Sequence, residues 1–180
     1  MKKIFFIIML QMFCIKLALA CPGSSTNSPE DVLTKLGINL KAPKTPVANY
    51  VNAVHTGNFI YLSGKGPELP EGGMIKGKVG VGMSIEDAKK AARLTAINLI
   101  GVLKSELKDL CKVKKIVKLT GMVNSSSTFQ NHPEVINGAS DLLVEVFGEK
   151  VGKHARVAMG ANSLPFNIPV EIDLIVEIQK

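Results

Sequence analysis

Between residues 84 and 109 apolar side chains recur at helical spacing: Ala88, Ala91, Ala92, Ala96, Leu99, Ile100, Leu103 and Leu107 fall on one stripe. Ser84, with Asp87 three residues on, supplies a variant capping box, so this stretch predicts a long helix whose alanines let it lie close on a sheet. A second stripe begins at Pro133 and places Ile136, Ala139, Leu143 and Val146 inward. A shorter helix is signalled where Ser28 precedes Pro29, Glu30 and Asp31, with Val32, Leu33 and Leu36 on one face and Gly37 ending it. Elsewhere the period drops to two. "NYVNAVHTGNFIYLSG" reads as a hairpin turning at Thr56, Gly57 and Asn58, "KIVKLTGMV" as a strand, and two last strands cover roughly 154–160 and 169–178. A short extended segment, "MIKGKVG", follows the loop "KGPELPEGG".

The order of elements, a helical prelude, then β, β, a short β, α, β, α, β, β, predicts an α+β fold: one mixed β-sheet with two helices packed on one face. The final strand shows what the other face must be. In "VEIDLIVEI" Val170, Ile172, Leu174, Val176 and Ile178 point to one side, leaving Glu171, Asp173, Ile175 and Glu177 on the other. A half-polar face carrying an isoleucine suits a subunit interface.

Composition bounds this picture without changing it. A chain of 180 residues, 46% hydrophobic and 21% charged, holds one core and one domain. Lys2 and Lys3 followed by "IFFIIMLQMFCI" and the small residues of "ALA" at 18–20 predict a signal peptide over 1–20, too short for a membrane span. Its three lysines, with no acid among those residues, account for part of the net charge, so removal lowers +7 to +4. That mild excess gives no reason to infer nucleic acid as a partner. The run "KVKKIVK" at 112–118 interleaves its lysines with Val113, Ile116 and Val117, as at the solvated start of a strand. Residues 21–29 read as a Pro/Gly/Ser-rich linker ahead of a domain at 30–180, and Cys21 at the first mature position is a candidate for a lipid that would tether the protein to a membrane. The expected location is thus exported, periplasmic or membrane-tethered. Cys111 has no evident partner, and no disulfide framework is expected.

Candidate chemistry concentrates near the C-terminus. In "HARVAMG", alternation puts Arg156 on the face of Ala158 and Gly160, which leaves space above a guanidinium whose planar fork matches a carboxylate. The competing reading pairs Arg156 with Glu171 or Asp173 across the sheet. His55, His132 and His154 are scattered, with no ligand spacing to one another, to Cys or to an acid, so they read as turn or surface residues and no metal is expected.

"TGNFIYLSGKGP", "INGASDLLVEVFGE" and above all "ARVAMGANSLPFNIPVEIDLIVEI" closely resemble the Rid (YjgF-type) family of reactive-intermediate deaminases, also called the endoribonuclease L-PSP family, within its chorismate mutase-like fold. The resemblance spans about 30–180. It implies a homotrimer around a central β-barrel with three inter-subunit clefts, hydrolysis of 2-imino acids and their enamine tautomers to 2-keto acids and ammonia, and no cofactor. By the same resemblance, Arg156 matches the residue that grips the substrate carboxylate, and Glu171 the acid that assists the water or the proton transfer. Tyr50 and Ser63 line the cleft, and Asn137 is the cleft asparagine of the second helix. Two departures stand out: Lys65 turns the usual "SGQ" into "SGK" and adds a cation near the cleft, and "RVAMGA" replaces "RSCVEV", so Ala158 and Gly160 imply a roomier pocket. Because export separates the protein from the cytoplasmic sources of enamines, a small-carboxylate-binding module without catalysis is the alternative. RNA cleavage finds no histidine pair to support it.

Overall fold

The structure is a computed structural model that describes Cys21 and residues 27–179. The expected signal peptide at 1–20 and most of the linker lie outside the described residues. The chain forms α1 (Pro29–Lys35), β1 (Ala53–Thr56), β2 (Phe59–Lys65), β3 (Lys78–Val79), β4 (Gly82–Met83), α2 (Ile85–Leu107), β5 (Val113–Asn124), α3 (His132–Gly152), β6 (Ala155–Ala161) and β7 (Val170–Ile178). Both predicted N-caps form. Ser28 Oγ accepts the Asp31 amide at 3.1 Å while Asp31 Oδ2 accepts the Ser28 amide at 3.0 Å, and Ser84 Oγ accepts the Asp87 amide at 3.1 Å.

The main sheet runs β1-β2-β7-β5-β6. Its pairs are antiparallel except β5 with β6, which α3 connects, so the sheet is mixed as expected. Helices α2 and α3 cover one face and each other, burying Leu99, Ile100, Leu103, Leu142 and Leu143 completely against Ile60, Leu119, Ile172 and Leu174. Full burial of one such side chain is worth about 1.5–3 kcal/mol. The two helices touch so closely at Gly138 that a Cβ there would lie 2.1 Å from the Lys89 carbonyl oxygen of α2.

Strand register fixes what faces where. Val170, Ile172, Leu174 and Val176 point under the helices, as the alternation predicts. The opposite face carries Glu171, Asp173 and Ile175, flanked by Val54, Phe59 and Tyr61 from the hairpin and by Val157 and Met159 from β6, all five of them exposed. The basic start of β5 overhangs β6, whose pairing begins only at Lys118, so Lys114 is free to pair with Glu177 (2.6 Å) and Lys115 to donate to the Lys150 carbonyl (2.8 Å).

The cysteines correct the sequence reading. Cys21 and Cys111 are joined in a disulfide, with Cα atoms 5.0 Å apart across a sequence separation of 90. The cause is the docking of α1: Glu30 Oε1 accepts the Leu110 amide (2.8 Å) and Lys104 Nζ (2.7 Å), which draws the start of the domain onto the turn after α2.

Candidate functional site

Arg156 lies on the edge strand β6, level with Leu119 of β5 and therefore on the helix side of the sheet, beneath α3. It is paired with neither Glu171 nor Asp173, which occupy the other face. Instead its Nη1 donates to Asn137 Oδ1 at 2.7 Å and to Ser140 Oγ at 3.1 Å. Asn137 and Ser140 are three apart on α3, so both point down at the same spot. Two partners use both hydrogens of Nη1 and leave the Nε–Nη2 edge, the fork that grips carboxylates side-on, for a ligand.

Behind Ser140 stands His154. Its Nδ1 lies 2.7 Å from the Gly152 carbonyl oxygen, and its Nε2 lies 3.1 Å from Ser140 Oγ. A carbonyl only accepts, so Nδ1 carries the proton and Nε2 receives the serine hydroxyl. Burial pushes the His154 imidazole below its usual range against the opposing Gly152 bond, and the positive charges of Arg156 and Lys115 push it further down.

The floor beside Arg156 is Ala158. Beyond it the imidazole of His132 lies directly over Gly160, where a Cβ would fall 2.4 Å from Nε2; that same nitrogen is 3.0 Å from Ser125 Oγ, and the ring meets Phe129 edge-on. The room expected from two small residues is therefore closed at Gly160 by His132, and Ala158 packs part-buried against the core. His132 and His154 also depart from the surface role expected of them, each being part-buried in a side-chain network.

Glu171 belongs to a second group on the open face. Its Oε1 occupies the place a Cβ at Gly64 would take, 2.4 Å away. Burial first, and the neighbouring Asp173 carboxylate second, raise its carboxyl above the usual glutamate range. Ser63, the chain neighbour of Gly64, donates to the Val51 carbonyl at 2.6 Å, and Tyr50, one residue before Val51, is exposed. Lys65 does not join this group. Leu62 pairs with Leu174 but Lys65 with Ile172, so one extra residue bulges from β2 and turns Lys65 to the helix side. There it donates to Asn52 Oδ1 and lines a 340 Å³ cavity against Leu94, Ile97 and Asn98 of α2. Burial lowers its pKa.

The predicted residues thus separate: Arg156 with Asn137 at the β6 edge on the helix side, and Glu171 on the open side against Gly64, with Ser63 beside Gly64 in the chain and Tyr50 in the segment before β1. Spacing along the sequence could not show this. Ser140, His154 and Gly64 were missed; the i, i+3 relation of Asn137 and Ser140 was the available signal. For a metal, the described residues bring ligand atoms together only at Glu30, Asp109 and Cys111. That sulfur is in the disulfide and Glu30 Oε1 is taken by Lys104 and Leu110.

An α+β sheet with two long helices on one face, an edge-strand arginine under the second helix and a glutamate on the far face define the class of protein. Residues 30–178 match the family model described as "YjgF/chorismate_mutase-like, putative endoribonuclease", and the chain belongs to this YjgF/L-PSP family. Protein TCP17 of Trypanosoma cruzi is 42% identical over 146 residues, 81% of this chain and 91% of that protein. A RutC family protein of Pyrococcus abyssi is 31% identical over 136 residues, covering 75% and 90%. The crystal structure of Atu1372 from Agrobacterium tumefaciens, a protein of unknown function, superposes with a TM-score of 0.78 at 42% identity over 84% of this chain and 92% of that one.

Proposed function

We propose that the protein hydrolyses 2-imino acids, and the enamines that tautomerise to them, to 2-keto acids and ammonia, in clefts that two copies of the chain build together. The observation that carries this reading is the guanidinium of Arg156, pinned through Nη1, with no side chain among the described residues bonded to its carboxylate-binding edge. A carboxylate held there fixes an adjacent imine carbon, which is already electrophilic and needs only a placed water and a proton carrier. Glu171 suits the role of proton carrier. Water adds to the carbon while the carboxylate takes its proton and passes it to nitrogen, giving a carbinolamine; the hydroxyl proton then moves to the amine by the same route, and ammonia leaves as the carbonyl forms. A carboxyl held above its usual range is a stronger base toward water than an ordinary glutamate.

We read the assembly as a homotrimer with the open sheet faces lining a central barrel. The exposed Val54, Phe59, Tyr61, Val157 and Met159 support it, since one sheet face of this kind needs cover. We read the protein as exported, and the Cys21–Cys111 disulfide favours an oxidising compartment. It also engages the sulfur that a lipid thioether would need, which favours release over tethering.

The test is keto-acid formation from an imine generated by an amino-acid oxidase. The protein should accelerate it, Arg156→Ala should abolish the acceleration and Glu171→Gln should lower it by about a hundredfold. An Arg156→Ala variant as fast as the parent refutes the reading. A carboxylate-binding module is the second reading, favoured by the fact that one chain holds the Arg156 half complete without Glu171. It predicts no acceleration, with a 2-keto acid raising Tm only while Arg156 is present. Acid–base cleavage of RNA would ask for two groups at one phosphate. His132 lies over Gly160 while His154 directly precedes β6, about 20 Å away by strand rise.

A further inference from the structure

The Arg156 guanidinium ends a chain of four hydrogen-bonding groups, and with His154 neutral the direction of every bond follows from chemistry. The Gly152 carbonyl can only accept, so His154 Nδ1 donates; Nε2 is then a lone pair, so the Ser140 hydroxyl donates to it; the serine oxygen is left as an acceptor facing Arg156 Nη1. Gly152 closes α3 and Ala155 opens β6, so the turn between them sets where His154 stands and, through Ser140, where the guanidinium points.

We propose that Ser140 and His154 are positioning residues for the carboxylate site, a relay that aims the Nε–Nη2 edge of Arg156 outward only while His154 is neutral. The proposal rests on the reading of Arg156 as the carboxylate anchor. Adding a proton to Nε2 turns it from acceptor to donor. Ser140 then loses the acceptor that oriented its hydroxyl and faces two donors. The charged groups acting on His154 are Arg156 of β6 and Lys115 of β5, both cationic, and Ser140 of α3 offers no countercharge. An imidazolium there repels the guanidinium it is meant to aim, so ligand affinity falls as the solution is acidified. Asn137, which bonds Nη1 without the relay, keeps part of the grip.

The test measures the Kd of 2-oxobutyrate, whose carboxylate stays charged throughout, by calorimetry from about pH 7.5 to about 4.5, a span that starts above the ordinary imidazole range and runs in the direction of the shift. Four proteins are compared: the parent, Ser140→Ala, His154→Gln and Arg156→Ala, with circular dichroism of each to show that it is folded. Glutamine offers Ser140 an acceptor near the Nε2 position and does not titrate. The parent should weaken on the order of tenfold on acidification and His154→Gln should show no such loss, while Ser140→Ala should bind about tenfold more weakly at neutral pH. A parent profile as flat as that of His154→Gln, or a Ser140→Ala variant within about twofold of the parent, overturns the relay. If Arg156→Ala binds as tightly as the parent, the anchor reading itself has failed; if it loses binding while the other variants match the parent, only the relay has.

Discussion

Replacing Cys111 by serine removes the bond that joins the start of the domain to the turn between α2 and β5, and its cost can be worked from chain geometry. In the unfolded chain the disulfide closes a loop of sequence separation 90. The loop-entropy relation gives about 15.5 cal/mol/K for a loop that long, or about 4.6 kcal/mol at 25 °C. Not all of that is lost. In a folded chain without the bond, the Ser28 cap, about seven residues beyond Cys21, still holds the start of the domain. The same relation assigns about 2.4 kcal/mol to closing that shorter stretch, a freedom the folded variant regains. The difference, about 2 kcal/mol, is the expected destabilisation. For a domain of this size it lowers Tm by roughly 4–9 °C.

The Glu30 contacts to Leu110 and Lys104 do not depend on the disulfide and should hold α1 in place, so the variant folds. The assay is urea unfolding of the parent, Cys111→Ser, Cys21→Ser and the double variant, each with and without reductant. The two single variants and the double should coincide, because each removes the same bond. Their urea slope should exceed that of the oxidised parent, whose cross-linked unfolded state is more compact. Equal midpoints for parent and variants, or a parent indifferent to reductant, would refute the reasoning.

At Gly64 an alanine Cβ would fall 2.4 Å from Glu171 Oε1, the far end of a side chain that can swing away. Gly64→Ala should therefore leave Tm within about 2 °C of the parent while cutting imine hydrolysis about tenfold or more, a separation read by running melting and rate measurements on one preparation. Because the Glu171 carboxyl is raised, the folded chain holds its proton more tightly than the unfolded chain does. The ionised form thus costs the fold stability above that raised value, and the cost vanishes below the ordinary glutamate range. Glu171→Gln should accordingly melt higher than the parent at about pH 7.5 and together with it at about pH 4; a variant that melts lower at the higher pH contradicts the burial argument.

What the sequence revealed is what local periodicity carries. The stripe of α2, the caps at Ser28 and Ser84 and the alternation of β7 each follow from residues within a few turns of one another, and all stand in the structure. What it concealed depends on register. One bulged residue in β2 decides that Lys65 faces α2 while Gly64 lies against Glu171, and nothing in "LSGKG" announces it. The Cys21–Cys111 bond needed the docking of α1, a contact between distant parts of the chain. His132 over Gly160 needed the angle at which α3 crosses the edge strand. The resemblance to the family identified Arg156, Glu171, Tyr50, Ser63 and Asn137, but the division of Arg156 and Glu171 between two faces follows only from strand order.

That division makes a demand on the assembly. Glu171 sits two strands from β6, about 10 Å across the sheet, three residues from the row of Arg156, about another 10 Å along it, and on the opposite face. A small imino acid cannot touch both within one chain, so joint action requires the arginine of one copy and the glutamate of another. The two inactivating substitutions should then complement each other. In a cyclic oligomer mixed at random from equal amounts of Arg156→Ala and Glu171→Gln chains, about one cleft in four pairs an intact Arg156 with an intact Glu171. Co-expression should restore about a quarter of parental activity where each variant alone shows almost none. A site contained within single chains gives no recovery, because every chain then carries one lesion, and that outcome would leave Arg156 as a binding residue without a catalytic partner.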